Sequence, residues 1–147
     1  MRALLFLSLL LGAIMLIPSG AHVLEMPHKF AMDHSAYLTA QQMYAGWALF
    51  GLPIIVKLPL DATLCIVMWQ TRRPIALGAL SSAIFIGSGL IVFFLYVQPA
   101  NLASANWTMH PPNWVETRNH WEYGHLAIAG FTFLAFVGLL QGTTKAI

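Results

Sequence analysis

Residues 75–97, IALGALSSAIFIGSGLIVFFLYV, are 23 consecutive positions without Asp, Glu, Lys, Arg or His. As a helix rising 1.5 Å per residue they would reach about 34 Å, enough to cross the ~30 Å hydrocarbon core of a bilayer. Working outward, the short polar turn 70–74 separates this stretch from a second apolar run at about 44–69. Two more runs lie at about 3–24 and 121–141. The 147 residues are 59% hydrophobic and only 8% charged, with a mean hydropathy of +0.72, which excludes a water-soluble domain. The expected class is all-α: an integral membrane four-helix up-and-down bundle forming a single domain over residues 1–147.

Helices associate in lipid by close packing, so small residues mark the seams. Ala79, Ala83 and Gly87 recur at four-residue spacing in the third run, and Gly124, Ala127 and Gly130 stand in the fourth. The brief 70–74 turn makes the second and third runs antiparallel neighbours. Arg2, Arg72, Arg73 and Lys145 fall at one end of such a bundle, against Lys29 and Arg118 at the other. By the excess of cations on cytoplasmic loops, both termini lie in the cytoplasm, and the segments 25–43 and 98–120 face the periplasm or exterior. A bacterial inner membrane is the expected location. A competing reading makes residues 1–21 a signal peptide cleaved after Ala21, leaving His22 as the N-terminus. The net charge of +2 gives no reason to expect nucleic acid. Cys65 is the only cysteine, so no disulfide can form within the chain.

All six histidines and four of the five acidic residues (Glu25, Asp33, Glu116, Glu122) belong in or beside the two outward segments. His22 and Glu25 are three apart at the outer end of the first run; Glu122 and His125 are three apart at the outer end of the fourth. Each pair shares one helix face. Pro111-Pro112, then Asn113 as N-cap with Glu116 as its capping-box partner, should start the last helix at Trp114. Extended to Gln141 it would be about 42 Å long, so its first turns overhang the hydrocarbon and carry Arg118, Trp121, Glu122 and His125.

His22, Glu25, Glu122 and His125 could together hold one Fe, Cu or Zn ion. The same imidazoles could instead be axial ligands of a haem. Equally, all four groups could serve only hydrogen bonding and proton handling, with no cofactor. His34 and His110, in loops, are expected to be solvated. Lys57 and Asp61, four apart within the second run, are each other's obvious partners, either as a functional intramembrane pair or as a structural one in a proline-bent helix.

The run Gln98-Pro99-Ala100-Asn101, followed by Trp114, Arg118, Trp121-Glu122 and His125, resembles a family of small four-helix membrane proteins. That family is a domain of unknown function that includes fungal anthrone oxygenases. The resemblance covers residues 44–137 and is most specific over 98–125. It implies oxygenation of a lipophilic phenolic or quinone-like substrate without a cofactor, with Asn101, Arg118, Trp121 and His125 at the matching positions. The chain departs from the family pattern in its 22–28 opening, in Lys57 and Asp61, and in Ile128-Ala129, where the family often places a basic residue.

Three functions are therefore open. The first is a membrane oxidoreductase, oxygenase-like, with His125 as base, Glu122, Arg118, Asn101 and Trp121 around it, and a lipophilic molecule entering from the lipid bilayer. The second is an accessory or scaffold subunit of a larger membrane complex. The third is a metal- or haem-binding membrane protein, or a conduit for metal ions or protons. All site-based readings require the outer ends of the first and last helices to meet.

Overall fold

A computed structural model describes residues 2–146. Among them there is no strand, and four helical segments are long and apolar enough to cross a membrane. Six α-helices are present: α1 (Arg2–Phe30), α2 (His34–Gln41), α3 (Gly51–Met68), α4 (Arg73–Val92), α5 (Gln98–Ala103) and α6 (Trp114–Thr144). A turn of π-helix, Phe93–Val97, joins α4 to α5, so the third span runs on to Ala103. That is six residues beyond the end read from hydropathy, because the helix continues past the apolar limit with Gln98, Pro99 and Asn101.

Pro99 accounts for the widened turn. It has no N–H to offer the Leu95 carbonyl, and its ring crowds that carbonyl in a regular α-helix. The Gln98 N–H instead reaches back to the Phe93 oxygen, closing the longer ring. Helix α1 likewise outruns its hydropathy, carrying Glu25 and Lys29 on helical backbone to Phe30. The following segment is not plain loop: Asp33 caps the Ala36 N–H at 2.9 Å and starts α2. Helix α6 begins at Trp114 as read, but the Asn113 side chain makes no capping bond there; the first turn is held by Thr117 N–H on the Asn113 carbonyl.

Helix α4 packs along α6 most extensively, α1 lies against α6 and α3, and α3 lies against α4. The closest approach is between glycines. A Cβ on Gly142 would stand 2.4 Å from the Pro74 carbonyl oxygen, and one on Gly78 would stand 2.8 Å from that of Gly138. Either would drive the helices apart, so this seam depends on bare backbone. Two clusters mark the two ends. Leu5, Met68, Ile75 and Ala146 gather at one. Tyr37, Val97, Ala100, Trp107 and Trp121 gather at the other, beside the histidines. Apolar side chains such as Phe6, Ile66, Ile91 and Phe133 are exposed along the flanks, as lipid-facing residues are.

Candidate functional site

The C-terminal end of α1 and the N-terminal part of α6 meet. The His22 and His125 rings lie 4.1 Å apart, centroid to centroid. Trp121 packs against both, at 5.0 Å from His22 and 4.0 Å from His125, while Tyr44 and Trp47 close over His22 at 4.8 and 5.6 Å. The extended helical spacing of α6 puts Trp121 and His125 one turn apart, and the 3₁₀ turns between α2 and α3 bring the other two aromatics over the top.

The His125 Nδ1 lies 2.9 Å from the Trp121 carbonyl oxygen. A carbonyl only accepts, so Nδ1 carries the proton and Nε2 presents a lone pair. Trp121 is itself fixed, since its indole N–H donates to the Asn101 Oδ1 at 3.0 Å. The π-turn before Pro99 sets the rotation that brings Asn101 to this indole. Three of the four positions named by the family resemblance thus form one chain: Asn101, Trp121, His125. Arg118 stands beside it, its guanidinium 4.8 Å from both the Phe30 and Trp114 ring centres and at a long 3.5 Å from the Phe30 carbonyl.

The two carboxylates do not join the imidazoles. Glu122, buried to 1% exposure, pairs with Lys29 at 2.9 Å and accepts from the Tyr37 hydroxyl at 2.8 Å. Glu25 accepts from the Tyr44 hydroxyl, which in turn accepts from Lys29 at 3.0 Å. Lys29 also lies over the Tyr44 and Trp121 rings, at 4.7 and 4.4 Å from their centres. A buried ammonium with a carboxylate, a phenol and two aromatic faces has its charge well compensated. Burial, then the charge of Glu122, pushes the Tyr37 phenol up; burial, then its bond to Glu25, pushes Tyr44 up. Both phenols therefore stay protonated and donate.

This arrangement bears on the cofactor readings. Of the proposed metal set His22, Glu25, Glu122 and His125, only the two imidazoles are in mutual contact. Among the described residues no three His, Cys, Asp or Glu side chains form a metal-holding group. The two rings touch directly, leaving no gap between them for a porphyrin.

The sequence reading gives Tyr37, Gln41, Lys29 and Trp107 no role at the site. Glu25 and Lys29 at i, i+4 on one helix are a usable signal for Lys29. Trp107 is delivered by an unusual turn: Ala105, Asn106 and Trp107 have φ of 48°, 54° and 63°. Left-handed backbone costs such residues roughly 1–2 kcal/mol each. Ser104 holds the turn, its hydroxyl accepting from the Trp107 N–H at 3.1 Å, while Asn106 N–H reaches the Asn101 carbonyl at 2.7 Å. The turn seats the Trp107 ring 5.1 Å from Tyr37 and 6.0 Å from Trp121.

Several buried polar atoms of this region have no partner: His22 Nδ1, Gln41 Oε1, Trp107 Nε1, Arg118 Nε, Asn119 Oδ1 and Glu122 Oε2. Unpaired buried groups cost about 1–3 kcal/mol each, and each calls for an explanation: strain, a chemical role, or an ordered water or ion. His34 and His110 are in contact with solvent, as expected, and also with each other. Their nearest nitrogens are 2.8 Å apart, and His34 stacks on Trp114 at 4.5 Å.

Comparisons with protein-family models, with characterised proteins and with solved structures give no significant match.

Proposed function

We propose that this chain is an integral membrane oxidoreductase of the oxygenase-like kind, taking a lipophilic phenol or quinone-like molecule at the aromatic-walled rim. The carrying observation is the His22–His125 contact, with the His125 tautomer set by the Trp121 carbonyl so that Nε2 is the free base. His125 takes a proton from an activated hydroxyl or methylene of the substrate. The resulting anion is oxidised by dioxygen, and for an anthrone the balance is one dioxygen consumed, one carbonyl formed and one water released. Trp121, Tyr44 and Trp47 supply flat apolar walls for a ring system. The unpaired Glu122 and Trp107 atoms supply an acceptor and a donor for polar groups. In this reading the four spans run up and down, with both termini cytoplasmic, in a bacterial inner membrane, and the rim faces the periplasm or exterior.

The test is turnover of an anthrone by protein purified in detergent, followed by oxygen uptake and by the quinone absorbance. His125→Ala should lower the rate by about 10²–10⁴ while the melting temperature is kept. Undiminished turnover in that variant, or none in the unaltered protein, ends the proposal. Metal analysis runs alongside. One Fe, Cu or Zn ion per chain, lost in His22→Ala, would recast the two imidazoles as ligands rather than base and neighbour.

A further inference from the structure

The end of the bundle away from the histidines carries a groove of about 380 Å³ between α4 and α6. Its floor is the glycine seam, and Leu77, Gln141, Arg73 and Lys145 rise around it. Arg73 leans on the Trp69 ring at 4.5 Å, and neither Arg73 nor Lys145 has a carboxylate partner among the described residues. Arg2 and Arg72 stand at the same end. No side-chain carboxylate answers them: Glu25, Asp33, Glu116 and Glu122 are at the opposite rim, and Asp61 is buried against Lys57. The groove therefore combines an apolar wall, a bare-backbone floor and two uncompensated cations at its mouth.

We propose that this groove holds one anionic phospholipid, its phosphate on Arg73 and Lys145 and an acyl chain along Leu77. The helices touch along the glycine seam itself, so the acyl chain lies over that floor, against Leu77. Ser81 and Gln141 are the other polar residues lining the groove. A phosphodiester gives the two cations a counter-charge that no described side chain supplies. The site is independent of the rim and of any activity there.

Native mass spectrometry of the full chain, titrated with phosphatidylglycerol or phosphatidylcholine of matched acyl chains, tests it. The unaltered protein should retain phosphatidylglycerol about tenfold more tightly. Arg73→Gln/Lys145→Gln should weaken that lipid about thirtyfold, at roughly a fivefold loss per cation near the membrane surface, and leave phosphatidylcholine unchanged. The charge-matched pair Arg2→Gln/Arg72→Gln should weaken it less than threefold. Equal losses in the two pairs would mean diffuse attraction and overturn the site. Equal retention of both lipids by the unaltered protein would overturn it without reference to any variant. So would a dimer that excludes lipid, which would assign the groove to a second copy.

Discussion

Two buried polar clusters among the described residues differ in whether their atoms are satisfied. Between α1, α3 and α4, Lys57 donates to both Asp61 oxygens, at 3.2 and 2.9 Å, and to the Ser8 hydroxyl at 2.8 Å. Asp61 accepts further from Ser8 and, at 2.6 Å, from Ser82. Both charged groups are essentially inaccessible, and no atom of this knot is left without a partner. The rim around Glu122 and His22 is also buried, yet polar atoms of His22, Gln41, Trp107, Arg118 and Glu122 have no partner there. Burial alone does not mark a site of action. A closed ion pair with two hydroxyls locks three helices together; the rim leaves donors and acceptors that no described side chain meets.

Removing one side of the knot should produce the largest loss of stability. Asp61→Ala strands the Lys57 ammonium and should cost about 3–5 kcal/mol, whereas Lys57→Met/Asp61→Leu should be near neutral or stabilising. Unfolding in detergent measures both, and anthrone turnover surviving in the double variant would place the knot outside the chemistry. If the double variant is as unstable as the single one, the knot is not a self-contained pair.

At the rim, Tyr37→Phe removes one of the two bonds to Glu122 and should cost about 1–3 kcal/mol. It should also lower activity, because the carboxylate loses its orientation. A variant with unchanged stability and unchanged turnover would mean that Tyr37 only fills space.

The smallest expected effect is with pH. His34 is held below its ordinary 6.5 by the packing around it and by His110, with Asp33 opposing. The unfolded chain therefore binds this proton first as pH falls. The stability from the contact is complete above about 6.5 and is lost as pH drops through the lowered value. Melting temperature measured from pH 8 to pH 5 should fall slightly more for the unaltered protein than for His34→Gln. Parallel curves would remove His34 from the account.

The four spans, the start of α6 at Trp114 and the meeting of His22 with His125 were legible because each follows from run length or from three- and four-residue spacing. The partners of the carboxylates were not. Glu25 and Glu122 read as possible ligands until Tyr44, Tyr37 and Lys29 were seen to occupy them, and those contacts cross from separate elements. Ser8 was one hydroxyl in a run of leucines; nothing local says that it faces Asp61, 53 residues away. The three left-handed residues at 105–107 contain no glycine, so the usual signal for that backbone was missing.

The π-turn at Phe93–Val97 fits about five residues into the rotation that four take in an α-helix, so the chain beyond it keeps its heading with one side chain to spare. The same residues wound as a plain α-helix would carry Asn101 about 100° farther round, away from the Trp121 indole. The indole keeps its acceptor only while the turn stays wide, and a proline that touches neither ring is what holds it open.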